Sequence, residues 1–229
     1  MTCLARWGKN ATCAAWAESK LVTAMTDRFC VLGVDPALAG ATGYGVIEFV
    51  GSAPRMLRFG AVTHPHSATT GARLHAIHEM IASLVHEFTP DAVAIEAVFS
   101  KINVGTALKL AEVRGVVLLA AAQASIPSHS YSPREVKASV AGYGQADKRQ
   151  IQLMVRALLD MKETPEPSDA ADALAVALCH LQAEQTRQRF GLPGKSTGAK
   201  FHSLSFAAKA AVGRGGATQD ILPRIVISR

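Results

Sequence analysis

Two apolar runs that each end in a carboxylate constrain this chain most. Cys30–Val34 (CVLGV) leads straight into Asp35, and Ala92–Ile95 (AVAI) leads straight into Glu96. Short runs of this kind, bounded by turn residues, read as buried strands. An acid at the end of such a strand is costly to bury unless a partner or a metal meets it. Asp169 and Asp172 open a further apolar stretch, SDAADALAVALCH, with helical spacing. They are i and i+3, so they share one helix face, and the helix dipole favours negative charge in a first turn. Alone, the pair reads equally well as a good helix start. Together with Asp35 and Glu96 it makes an all-oxygen ligand set of the sort that hard divalent cations prefer. Two such ions held by one cluster would suit phosphodiester hydrolysis.

The rest of the pattern predicts strands and helices that could carry those acids to one point. YGVIEFV and MLRFGAVTH read as strands, separated from their predecessors by the glycine-rich ALAGATG and the turn GSAPR, which suggests an antiparallel meander. Leu74, Ile77, Ile81, Leu84, Val85 and Phe88 recur at helical spacing. Asn103 to Gln123 reads as a long helix, with Gly115 as a small-residue contact or a weak point, and IPSHSY as a strand. SPREVKASVAGYGQADKRQ reads as a short helix and a loop, and Ile151, Met154, Val155, Leu158 and Leu159 mark the next helix. TPEPS is a proline-marked link, Ser168 an N-cap, and Leu174, Ala177, Leu178 and Leu181 the core stripe of the last helix.

Length and charge narrow the function classes. With 229 residues, 49% of them apolar, the chain can bury one sizeable core and still carry tails. Its formal charge of +6 is uneven: from Glu184 onward there are eight Lys/Arg against two Asp/Glu, whereas Cys30–Gln182 holds twelve basic and fourteen acidic residues. Global basicity is therefore no argument that the folded part binds nucleic acid. The expected organisation is an extension over 1–29, a domain over 30–183, and a basic tail over 184–229, disordered in isolation, whose ILPRIVI segment is apolar enough to dock on something. Met25 is the expected true start, ahead of a weaker likeness of the first residues to a transit peptide. Cys3, Cys13, Cys30 and Cys179 show no zinc or redox spacing, and no run of about 18 apolar residues is present. A reducing, cytoplasmic location without a membrane partner is expected.

The segments GVDPALAGATGYGV, AIEAVFSKINVGTALKLAEVRGV, YSPREVKASVAGYGQADKRQIQLMVRALL and DAADALAVALCH resemble, in order and content, the RuvC family of Holliday-junction resolvases within the RNase H-like nuclease superfamily. The resemblance covers about Cys30 to Gln182. It implies an α/β, RNase H-like fold, with a mixed five-stranded sheet flanked by helices. Asp35, Glu96, Asp169 and Asp172 fall on the family's catalytic, metal-binding acids, served by two Mg²⁺ ions that Mn²⁺ can replace. Lys137 and Lys148 fall on lysines of catalysis or scissile-phosphate binding, and Phe99 on the aromatic that stacks at the junction centre. The resemblance also implies a homodimer that nicks two like-polarity strands of four-way junction DNA, leaving 5′-phosphate and 3′-hydroxyl ends, with RuvA and RuvB as branch-migration partners. One departure is visible: Ala37 stands where the family has glycine, and ALAGAT is one residue longer.

Local cations agree with that reading. Lys101, Asn103, Lys109 and Arg114 follow the Glu96 segment, and Arg134, Lys137, Lys148 and Arg149 surround the later loop, as a groove that tracks phosphates requires. A solvated surface explains most such residues equally well. A buried role suits Phe99 by residue type. His64, His66, His75 and His78 read as surface or capping residues rather than ligands. Competing functions are an actin/sugar-kinase-type phosphotransferase, suggested by GVDPALAGATGYG but short of a second domain, an RNA-processing nuclease of the same fold, and a non-catalytic DNA-architecture protein.

Overall fold

The computed structural model describes residues 28–38, 40–65, 67–97 and 103–192. Phe99, Lys101 and His66 lie outside them, as do Met25 and most of the extension and tail. Five strands, β1 (Phe29–Asp35), β2 (Thr42–Val50), β3 (Ala53–Val62), β4 (Ala92–Glu96) and β5 (Ser128–Tyr131), form one sheet in the order β3-β2-β1-β4-β5. β1, β2 and β3 are antiparallel neighbours, whereas β4 runs parallel to both β1 and β5. The expected mixed five-stranded sheet is therefore the observed one.

Side-chain parity in β1 and β4 decides where the acids go. Alternate strand residues face opposite sides of a sheet. Cys30, Leu32 and Val34, with Val93 and Ile95, face a core shared with α1 (Thr70–Phe88) and α2 (Val104–Gln123). Val31 and Ala94 face the opposite core, shared with α3 (Pro133–Ala141), α4 (Lys148–Leu158) and α5 (Ser168–Phe190). Asp35 and Glu96 have the parity of Val31 and Ala94, so both end on the α5 side. Val34 pairs with Ile95, so the acids that follow them leave the sheet at the same level.

α5 lies unusually close to that face. A Cβ on Gly33 would stand 2.2 Å from the Ala173 carbonyl oxygen, and one on Gly43 2.0 Å from that of Asp169. Bare backbone at these two positions lets the helix settle on β1 and β2. The predicted stripe is too narrow: Ala170, Ala171 and every residue from Ala173 to Leu181 are buried. The sheet covers one side of the helix, and α3 and α4 cover the other.

Several boundaries differ from the sequence reading for local reasons. The β2–β3 turn needs only Gly51 and Ser52, so Ala53, Pro54 and Arg55 already pair with Val50, Phe49 and Glu48. Arg55 and Arg28 both pair with the buried Glu48 carboxylate. α4 begins at Lys148 rather than after a loop, because Asp147 and Gln150 form a capping box. Pro167, not Ser168, occupies the N-cap of α5, without a side-chain capping bond. That helix also continues beyond residue 183 to Phe190, helped by an Arg187–Glu184 pair and by Gly191 at a left-handed C-cap (φ 61°). Gly115 makes no packing contact with other elements among the described residues: it is exposed, and none of their atoms lies within 4 Å of a Cβ built on it.

Candidate active site

Asp35 ends β1, Glu96 ends β4, and Asp169 and Asp172 stand in the first two turns of α5. Carboxylate oxygens of Asp35, Asp169 and Asp172 lie within 4.8 Å of one another. Glu96 joins through a hydrogen bond with Asp35. All four side chains are half-buried. Burial, reinforced by the neighbouring Glu96 and Asp172 charges, drives the Asp35 carboxyl well above the usual carboxylate range. Burial raises Glu96 as well, with the Asp35 hydrogen bond pulling the other way. These shifts belong to carboxyls that are buried and crowded together. A carboxylate-only donor set under that strain fits a hard divalent cation. Among the described residues no group that includes the histidines has this geometry: His78, for example, bonds Gln123 at 2.9 Å.

Two lysines face the acids. Lys148 Nζ stands 2.9 Å from Asp172 Oδ2, and that hydrogen bond raises its pKa, so it stays charged. Lys137, on α3, lines a cavity of about 180 Å³ with Glu96, Lys148 and Asp172. Its charge is one of the influences that lower Glu96. Two capping boxes, Ser132–Glu135 on α3 and Asp147–Gln150 on α4, fix the helices that carry these lysines.

The loop after Asp35 carries the departure at Ala37, and it is held from both sides. Thr42 Oγ1 accepts from Ala37 N at 3.2 Å and donates to the Ala37 carbonyl. Arg73 donates to the Leu38 carbonyl at 3.3 Å and to those of Ala68 and Pro65. Sequence reasoning missed Arg73, which lies 35 residues away from Leu38 on α1 with no local signal of the contact.

The other predicted contact residues divide. Lys109 and Arg149 are exposed. Arg134 is also exposed, but its side chain lies across Gly144. Asn103 caps α2 by accepting from Gly105 N at 2.8 Å. Arg114 is half-buried and bonded to Ser130, away from the acids.

Comparison with known proteins agrees with this arrangement. The family model for crossover junction endodeoxyribonuclease RuvC matches residues 31–180. A protein of that name from Chloroflexus aurantiacus is 47% identical over 161 residues, 70% of this chain and 98% of the relative. One from Halothermothrix orenii is 41% identical over 164 residues, 72% and 99% respectively. Among solved structures, Thermus thermophilus RuvC in complex with Holliday junction substrate is 36% identical, with a TM-score of 0.66 over 72% of this chain and 97% of that one. With the match spanning every strand of the sheet and all four acids, the chain belongs to the crossover junction endodeoxyribonuclease RuvC family.

Proposed function

We propose that this protein is a structure-selective endonuclease that resolves four-way DNA junctions by paired nicks in two like-polarity strands. The observation that carries this reading is the convergence of Asp35, Glu96 and the Asp169/Asp172 pair, with Lys148 and Lys137 beside them. Asp35, Glu96, Asp169 and Asp172 would hold two divalent cations, Mg²⁺ with Mn²⁺ able to replace it. When bound, such ions lower the pKa of an attacking water and stabilise a leaving 3′ oxygen. Lys148 and Lys137 bind the scissile phosphate, and Lys148, held charged by Asp172, acts as a cation rather than a base. Hydrolysis breaks the bond between phosphorus and the 3′ oxygen, leaving 5′-phosphate and 3′-hydroxyl ends. Lys101, Lys109, Arg134 and Arg149, with Asn103 and Arg114, extend the contact along the DNA, and Phe99 stacks where the junction opens.

Paired nicks call for two active sites, hence a homodimer. The outer face of α2 supports it. Val104, Leu108 and Leu119 are 74%, 61% and 53% exposed. With the exposed Ala111, Gly115 and Ala122 they form one apolar ridge at helical spacing. Small residues within the ridge let a second helix approach closely. Family membership supports a cytoplasmic location and work alongside RuvA and RuvB. No helix among the described residues is long and apolar enough to cross a membrane.

The test is cleavage of a synthetic four-way junction in Mg²⁺. The wild type should cut it, and Asp35→Asn should bind it without cutting. A folded, dimeric protein that leaves several junction sequences intact would refute the reading.

A further inference from the structure

The edge of the sheet carries a second polar cleft. It measures about 760 Å³ and opens between α2, β5, α3 and the last turns of α5, and none of the four acids lines it. Among the described residues β5 has no strand neighbour on this side, and its residues form one wall. Arg114 reaches in from α2 and donates through Nη2 to Ser130 Oγ, while its Nη1 is buried and meets no hydrogen-bond partner among the described residues. We infer that this cleft is an oxyanion site, in which the Arg114 guanidinium takes a phosphate group remote from the metal-binding acids.

A guanidinium nitrogen withdrawn from water is costly unless a hydrogen-bond acceptor meets it. Burial lowers the Arg114 pKa, and no carboxylate among the described residues offsets that burial. The carboxylates nearby have other partners: Glu135 accepts from Ser132 N at 2.7 Å, and Glu184 pairs with Arg187. The fork of an arginine matches phosphate oxygens two at a time, and such charge-assisted bonds are among the stronger polar contacts. Arg187 lines the same cleft and, although paired with Glu184, adds guanidinium N–H donors to it. His129, kept neutral by burial and by Arg187, offers one ring N–H, and the Ser130 hydroxyl is free to donate because its oxygen is the acceptor for Arg114. Donors thus come from α2, β5 and α5, which suits a tetrahedral anion. The phosphate could be free or part of a DNA backbone. The site itself does not depend on the nuclease reading, and only the DNA source does.

The full-length, metal-free protein should show a saturable shift of the Arg114 guanidinium ¹⁵N signal on titration with sodium phosphate, absent with sodium chloride at matched ionic strength. Its melting temperature should rise with phosphate, as binding to the native state requires. Arg114→Gln should remove that rise and Arg187→Gln should weaken it, whereas Lys137→Ala should keep it. Since Arg114 also ties α2 to β5, the wild-type ¹⁵N shift and Arg187→Gln decide the matter if Arg114→Gln does not fold. No saturable shift at Arg114, or a melting response lost in Lys137→Ala and kept in both arginine variants, would overturn the site. Junction binding without metal then assigns the source. A loss of about tenfold in Arg187→Gln, with phosphate competing, marks a DNA phosphate, and unchanged junction affinity marks free phosphate. Cleavage in Mg²⁺ is scored separately, so a protein that cuts junctions but fails the phosphate titration keeps its nuclease function and loses this site.

Discussion

Asp35 is the residue on which most of the local physics converges. Its carboxyl is raised in the metal-free state by burial first, then by Glu96 and Asp172. A carboxyl whose pKa is higher folded than unfolded binds more protons in the native state, so stability falls as pH rises from about 4 toward neutrality. Asp35→Asn removes that burden. At pH 7 without metal it should raise the melting temperature by several degrees, for about 1–3 kcal/mol. The gain should shrink as pH falls and vanish below about pH 3, where Asp35 is protonated in both states. A thermal-unfolding series across pH checks the sign. Lys148 is tested by its partner: Lys148→Ala should lower cleavage by roughly 10²–10³-fold, the scale for losing one charged group at a phosphoryl centre. It should leave the fold intact, as shown by circular dichroism, because its side chain is 54% exposed.

At the scale of elements, the fold depends on how closely α5 approaches β1 and β2. Gly33→Ala forces a methyl onto the Ala173 carbonyl in a region that is buried on every side. It should cost about 3 kcal/mol, roughly 6–12 °C in melting temperature, or abolish folding. Chemical denaturation measures this directly. The strands were readable because short apolar runs bounded by turn residues mark buried strands. The parity of Asp35 and Glu96 was implicit in those same runs. The start of β3 was not readable, because Ala-Pro-Arg resembles a turn. β3 is an edge strand, where Pro54 need not forfeit a ladder bond. The start of α4 was hidden by its polar residues, although Asp147 and Gln150 carried the capping-box spacing. Burial of α5 on all sides could not be inferred from its stripe, since alanine tolerates either environment. Arg114 looked like a surface cation, and only tertiary contacts take it into the cleft beside β5.

At the scale of the molecule, the charge of the folded part is nearly balanced, so any hold on DNA rests on where a few cations sit. Paired cleavage, as proposed, further needs two active sites presented at once. Leu108→Glu puts a charge into the exposed apolar ridge of α2. It should shift the protein toward monomer in sedimentation or light scattering and reduce paired cleavage more than junction binding. The most direct test of the account is cleavage of a four-way junction with a mobile core, with each strand labelled in turn. The account predicts nicks at matching positions in two like-polarity strands, dependent on Mg²⁺ or Mn²⁺ and absent in Asp35→Asn. Single, unpaired nicks on any strand, or equal cutting of plain duplex, would contradict it.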